Sequence, residues 1–118
     1  MVLEDFAVII GCCVRSAVPV SGHLGEYDAA RHEIRVHPAL AAIQCQAVLA
    51  HEIGHAAYRH ESSTALTERE ADEFSDWLRI PFCDFLRATQ AHSTVQAVAH
   101  ELDLLPADVR RYAQRIWE

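Results

Sequence analysis

The segment His51-Glu52-Ile53-Gly54-His55 decides how the rest of this 118-residue sequence is interpreted. Two histidines four residues apart lie on one face of a helix, about one turn from each other. Both imidazoles can therefore reach a single metal ion at roughly 2 Å. Glu52 is turned about 100° around the helix axis from His51, so it lies beside the metal and not on it. The segment predicts a metal site with two histidine ligands, and with Glu52 as the base that takes a proton from the attacking water.

A third ligand is expected on a neighbouring helix that faces the two histidines. The segment Glu68-Arg69-Glu70-Ala71-Asp72 lies downstream, and in it Glu68 and Asp72 share one helix face. Glu68 is the expected third ligand, and such a two-histidine, one-carboxylate site with an open fourth position suits one Zn²⁺ per chain. Asp72 is expected to accept the second N–H of a ligand histidine. Glu70 is the competing ligand, although a capping box with Thr67 would occupy it.

Two alternatives to the zinc site follow from the same residues. The carboxylates of residues 68–72 could form a solvated acidic face with no metal at all. Non-haem iron uses a similar ligand set, though usually on strands and not on an H-E-x-x-H helix.

The remaining sequence predicts a small α+β domain that is mostly helical. Ile34 and Val36 alternate with polar residues, which is the period of a half-buried strand. Together with residues 14–18 and 23–27, this strand suggests a small three-stranded antiparallel sheet. Helices are predicted over about residues 3–10, 38–58, 67–80 and 81–91, then from a cap at Ser93, and finally from Pro106. We expect a single domain over residues 1–118, with the N-terminal helix and sheet in 1–37, the metal-site helices in 38–81 and further helices in 82–118.

Composition excludes several classes of protein. The net charge of −7 argues against a nucleic-acid binder, which normally presents a basic face. No stretch is apolar for long enough to span a bilayer, and the acidic N-terminus does not resemble a signal peptide, so a cytoplasmic location is expected. The four cysteines lack a C-x-x-C arrangement and are expected to be buried free thiols.

Residues 98–112 carry the one pattern that could indicate DNA binding. Their apolar spacing has the rhythm of a helix-turn-helix, with helical packing as the simpler explanation. Acidic residues balance the positive charge near this stretch. The positive charges belong to Arg110, Arg111 and Arg115, and the negative charges to Glu101, Asp103 and Asp108.

On these motifs the chain resembles the ImmA/IrrE family of metallopeptidases, which are gluzincin-type zinc enzymes. The resemblance covers about residues 18–81 and implies a zincin-like fold, with His51 and His55 as ligands, Glu52 as base and Glu68 as third ligand. The family often has asparagine where this chain has Asp72, and aspartate there resembles other gluzincins. The matching segments are Gly25-Glu26-Tyr27, the strand at Ile34, Leu49-Ala50-His51-Glu52-Ile53-Gly54-His55, Glu68-Arg69-Glu70-Ala71-Asp72-Glu73-Phe74 and Leu78-Arg79-Ile80-Pro81.

The resemblance also implies a function. The best-understood members of the family act in bacteria, phages and mobile elements, where they cut a helix-turn-helix repressor. We therefore expect an endopeptidase that carries out limited proteolysis of a DNA-binding repressor or antitoxin-like partner, with no direct nucleic-acid or membrane contact. The short chain suggests a phage or mobile-element member. The alternative is a metal-binding regulator that binds its partner without cutting it.

Two details of catalysis can be framed from the sequence. An extended substrate is expected to bind along the edge of the strand at residues 33–37. The developing oxyanion needs a hydrogen-bond donor, and several side chains are chemically able to supply one. These candidates are Arg35, His37, Tyr58 and His60.

Overall fold

The computed structural model describes residues 2–118 and confirms a mostly helical α+β protein. By contacts within the chain, the residues form two compact units, Met1–Ser75 and Asp76–Glu118. The assignment of residues 1–118 to one domain stays a prediction. In chain order the elements are α1 (Leu3–Ile9), β1 (Cys13–Ser16), β2 (Gly25–Asp28), β3 (Glu33–Val36), α2 (Ala42–Tyr58), α3 (Ala65–Arg79), α4 (Phe82–Ala91), α5 (Val95–Leu102) and α6 (Pro106–Trp117).

The sheet of the first unit is mixed, and its strand order is β1-β3-β2. β2 and β3 form the predicted antiparallel pair, with Tyr27 opposite Ile34. β1 runs parallel to β3, with Val14 opposite Ile34, so the expectation of an all-antiparallel sheet is wrong for this pair. Alternation of apolar residues identifies a strand but not its neighbour, and the hairpin turns β3 back into the direction of β1. β3 is therefore the central strand, and the expected free edge at residues 33–37 does not exist.

Helix α2 packs its apolar face against β2 and β3 and brings the H-E-x-x-H segment under the sheet. Leu49, Ala50 and Ile53 follow the spacing of one helix face and are at most 2 % exposed. Ile34 of β3 is fully buried as well. The burial of these side chains holds the helix in a fixed rotation about its axis, which determines where its histidines point.

Three helix starts differ from the predicted ones. α2 begins at Ala42 and not at Pro38. At α3, Thr64 and Thr67 form the capping box: the Thr67 N–H donates to Thr64 Oγ1 at 3.1 Å, and the Thr64 N–H donates to Thr67 Oγ1 at 2.8 Å. The proposed box between Thr67 and Glu70 is wrong, so Glu70 is not engaged in capping. Likewise, Thr94 and not Ser93 caps α5.

The second unit contains α4, α5 and α6 around an apolar cluster that includes Phe85, Val98 and Val109. Asp76 is 1 % exposed and accepts hydrogen bonds from Arg111 and Arg115 at 2.6 and 2.7 Å. Two of the three arginines of the helix-turn-helix alternative therefore pair inside the unit, which argues against their use on phosphates. Within residues 2–118, no helix combines the length and the apolar composition needed to cross a membrane.

Candidate metal centre

The close crossing of α2 and α3 creates the site. A Cβ atom on Gly54 would lie 2.5 Å from the carbonyl oxygen of Ala71 and 2.7 Å from its Cα, so only glycine allows this approach. On each helix, one polar residue lies three positions before the contact residue, which is Gly54 on α2 and Ala71 on α3, and another lies one position after it. They are His51 and His55 on α2, and Glu68 and Asp72 on α3.

The three predicted metal ligands converge on one point. His51 Nε2 lies 3.2 Å from His55 Nε2 and 3.1 Å from Glu68 Oε1, and His55 Nε2 lies 3.0 Å from Glu68 Oε2. Ligands of a tetrahedral zinc ion at about 2.0–2.1 Å are separated by roughly 3.3 Å from one another. These spacings are compatible with a zinc ion. His51, His55 and Glu68 form a cluster that could hold one metal ion.

Glu52 lies beside this cluster and faces β2. The residue is 8 % exposed, and a Cβ atom on Gly25 would lie 3.2 Å from Glu52 Cγ and 3.3 Å from Glu52 Oε2. The first residue of β2 is thus in contact with the carboxyl group. This placement agrees with the predicted base, which should flank the metal without binding it.

Two of the three residues, His51 and Glu68, have a further polar neighbour. His51 Nδ1 donates to Asp72 Oδ1 at 2.9 Å, which is the contact predicted for Asp72. Ser63, which precedes α3, donates its hydroxyl to Glu68 Oε2 at 3.1 Å. Sequence reasoning missed Ser63, because the loop that carries it has no periodic pattern. These contacts orient the ligands before a metal arrives.

The remaining predicted ligand, His55, is in contact with His60, which the sequence had suggested as a donor to the oxyanion. His60 Nδ1 lies 2.9 Å from His55 Nδ1, and His60 Nε2 lies 3.1 Å from Glu70 Oε1. Glu70, the competing ligand in the sequence, therefore binds His60 and lies outside the metal cluster. The sequence had assigned Glu70 to a capping box with Thr67, which the structure does not form, and it gave no sign of His60 as the partner.

Burial and charge shift the pKa values of the central residues. Burial raises the pKa of Glu52 to about 7, with the charges of Glu68 and Glu26 adding to the effect and His51 opposing it. Burial also lowers the pKa of His55. For Glu68 burial acts to raise the pKa, but the two ligand histidines outweigh it and lower the pKa. An ionised Glu68 beside a neutral His55 is the protonation state in which both bind a cation.

All four oxyanion candidates are engaged in other contacts. Arg35 is bound to carboxylates, among them Glu33 at 3.1 Å. His60 is bound to His55 and Glu70, and the ring of Tyr58 lies 5.0 Å from the ring of His60. His37 Nδ1 accepts a hydrogen bond from the Ala39 N–H at 3.1 Å. None of these contacts places a donor toward the cluster, so oxyanion stabilisation by any of the four stays a prediction.

An H-E-x-x-H helix with a carboxylate from the next helix defines a metal-dependent hydrolase of the zincin type. Residues 14–109 match the model of the IrrE N-terminal-like domain, and the chain belongs to this family of metallopeptidases. The match includes most of the sheet, the whole cluster and most of the C-terminal helices. No curated protein and no solved structure matches the chain.

Proposed function

We propose that this chain is a zinc-dependent endopeptidase that cuts a regulatory protein, specifically a helix-turn-helix repressor or an antitoxin-like partner. The observation that carries the proposal is the set of three ligand distances, 3.0, 3.1 and 3.2 Å, beside a buried glutamate. Zinc is favoured because two imidazoles and one carboxylate on helices suit its tetrahedral preference. Resemblance to the ImmA/IrrE enzymes supports a repressor as the substrate.

The residues of the chain divide the work of peptide hydrolysis. When bound, zinc supplies Lewis acidity, which acidifies water and polarises a carbonyl oxygen. His51, His55 and Glu68 would hold the ion. Glu52 takes the proton of the attacking water and passes it to the leaving amine. Because Glu52 is buried beside β2, bulk water is kept from its carboxyl group. This favours transfer of the proton to the bound substrate instead of to solvent.

We place the substrate along β2, the edge strand that contacts Glu52. β2 pairs with β3 on one side and is at the end of the strand order. An extended peptide can add to such an edge through main-chain hydrogen bonds. A cavity of about 520 Å³ also lies beside this strand, lined in part by Tyr27, Arg35 and Glu61. This placement replaces the expected edge at residues 33–37.

The test begins with the Glu52→Gln variant, which keeps the ligands and removes the base. Zinc-loaded Glu52→Gln is used to capture a partner from lysate of the source organism, and the captured protein is then incubated with zinc-loaded wild type. We expect wild type to cleave it at one site, and Glu52→Gln to be slower by about 100- to 10,000-fold, since a general base contributes that much. Both proteins should bind the partner equally well and hold one zinc per chain.

The control is Glu101→Gln, the same substitution on an exposed residue of α5, which should cleave like wild type. A zinc-loaded wild type that binds the partner and leaves it intact would contradict the peptidase and favour a regulator that acts by binding. Wild type that binds no zinc after dialysis against it would contradict the metal centre itself.

A further inference from the structure

His60 occupies a position that the peptidase function does not explain by itself. Its side chain is 9 % exposed, and both ring nitrogens have partners. Nδ1 faces His55 Nδ1 at 2.9 Å, and Nε2 faces Glu70 Oε1 at 3.1 Å. The three side chains therefore form a hydrogen-bonded row that starts on α3, passes through the loop after α2 and ends at a metal ligand.

The backbone brings His60 back over His55 through the turn that ends α2. Arg59 adopts the left-handed conformation, with φ of 52°. The Arg59 N–H then donates to Ala56 O at 3.1 Å, and the His60 N–H donates to His55 O at 3.0 Å. This pair of bonds is the Schellman motif, and residue 59 is its left-handed position. The ring of Tyr58 packs against His60 at 5.0 Å and helps to hold it.

The chemistry of the partners sets the direction of each hydrogen bond in the row. An ionised carboxylate only accepts, so Glu70 requires a proton on His60 Nε2. Neutral His60 then has a lone pair on Nδ1, which accepts from His55 Nδ1–H. When His55 is neutral and its proton is held on Nδ1, Nε2 can bind a cation. Nε2 is the atom that faces His51 Nε2 at 3.2 Å and Glu68 Oε2 at 3.0 Å.

We propose that His60 and Glu70 are positioning residues for the metal centre: they hold His55 in the tautomer that presents Nε2 to the ion. The inference rests on the metal site of the proposed function and extends it to two residues outside the ligand set. Asp72 makes the corresponding contact with His51 Nδ1, at 2.9 Å. Glu70 is thus not a ligand. It acts on the metal through the hydrogen bonds of two intervening side chains, His60 and His55.

The chain contains a matched pair that separates this role from ordinary packing. His92 Nε2 donates to Glu101 Oε1 at 2.7 Å, in the second unit and with no ligand histidine involved. His60→Phe and His92→Phe therefore remove the same type of bond, and only the first removes an acceptor from His55. His60→Gln is the rescue variant, since its amide can accept from His55 and donate to Glu70.

The experiment detects the His55 Nδ1 proton in zinc-loaded protein by imidazole ¹⁵N–¹H correlation spectra, and then measures the Kd for zinc by competition with a chromophoric chelator. We expect this proton to exchange slowly with solvent in wild type, because it is hydrogen-bonded to His60, and to exchange faster in His60→Phe. The Kd should rise about 10- to 100-fold in His60→Phe, the usual cost of losing such a neighbour. His60→Gln should recover most of this affinity, and His92→Phe should match wild type.

Several outcomes would overturn the inference. A His55 Nδ1 proton that exchanges as fast in zinc-loaded wild type as in His60→Phe does so, and so does an unchanged zinc Kd in His60→Phe. If His60→Phe does not fold, as judged by circular dichroism, Glu70→Ala replaces it, and an unchanged Kd there has the same meaning. Wild type that binds no zinc contradicts the proposed function instead, so the two failures are distinguishable.

Discussion

At the scale of single residues, two glutamates of α3 that look alike in sequence have different partners. Glu68 lies within 3.1 Å of both ligand histidines, whereas Glu70 lies 3.1 Å from His60 Nε2. Glu68 contacts the nitrogen atoms that would bind metal. Glu70 contacts His60, which in turn contacts His55. The consequence of deleting each carboxylate should therefore differ in size.

Glu68→Ala should abolish stoichiometric zinc binding, because it leaves two histidines and no carboxylate in the cluster. We expect its zinc Kd to rise by more than about 100-fold, beyond the range for an outer neighbour, and that of Glu70→Ala to stay within that range. Elemental analysis after gel filtration and chelator competition would measure both. Glu101→Ala is the control and should bind like wild type. Equal losses in Glu68→Ala and Glu70→Ala would contradict the assignment of Glu68 as the ligand.

At the scale of secondary-structure elements, the contact of Gly54 with Ala71 determines the spacing of the ligands. Both helices approach so closely there that a methyl group would meet the Ala71 backbone at 2.5–2.7 Å. Backbone cannot rotate away as a side chain can, so the helices would have to separate. Separation moves Glu68 away from both histidines together.

Gly54→Ala should therefore lose stability and zinc affinity together. Overpacking of this type costs about 1–3 kcal/mol in the free energy of unfolding. Urea unfolding of metal-free protein and chelator competition measure the two effects. Ala57→Gly, a substitution at an exposed position of the same helix, controls for the intrinsic helix propensities. A Gly54→Ala protein with unchanged zinc affinity would show that the crossing does not set the ligand spacing.

At the scale of the whole molecule, the response to acid depends on carboxylates with shifted pKa values. Burial acts to raise the pKa of Glu26, but hydrogen bonds from Arg35 and from the backbone N–H groups of Ser21 and Val20 outweigh it and lower the pKa to about 2. Because the pKa is lower in the folded state, Glu26 stabilises the fold above about pH 4.5. This stabilisation is lost as the pH falls towards 2.

Glu26→Gln should reduce the free energy of unfolding at pH 7 by about 1–3 kcal/mol, and by less at lower pH. Urea unfolding with a chelator present, at pH 7, 5 and 3.5, would measure the difference between the two proteins. All other carboxylates are common to both, so the difference isolates Glu26. A difference that stays constant between pH 7 and 3.5 would contradict the lowered pKa.

Much of the candidate site followed from local sequence, because its geometry is local. Residues four apart on a helix share a face, so His51 and His55 were placed together without knowledge of the fold. Glu68 and Asp72 followed from the same rule on the next helix. The position of Asp72 beside His51 agrees with the structure at 2.9 Å.

The features that were predicted wrongly, the direction of β1 and the start of α3, depend on contacts that local sequence patterns do not reveal. Strand alternation identified β1 but could not show that it runs parallel to β3. The Thr67–Glu70 spacing fitted a capping box, but the capping residue lies about one turn earlier, at Thr64. Local patterns of this kind fit several starting points, and tertiary packing selects one of them.

By itself, the sequence determined the H-E-x-x-H helix and the acidic helix that follows it, and the resemblance of these motifs indicated the family. Helical periodicity is enough for the two helices, since it relates residues within one or two turns. Only the tertiary structure decided that Glu70 reaches a metal ligand through His60, and that β2 and not β3 presents the free edge beside Glu52. Those relations depend on the crossing at Gly54, the turn at Arg59 and the order of the strands, which arise when separate elements pack together.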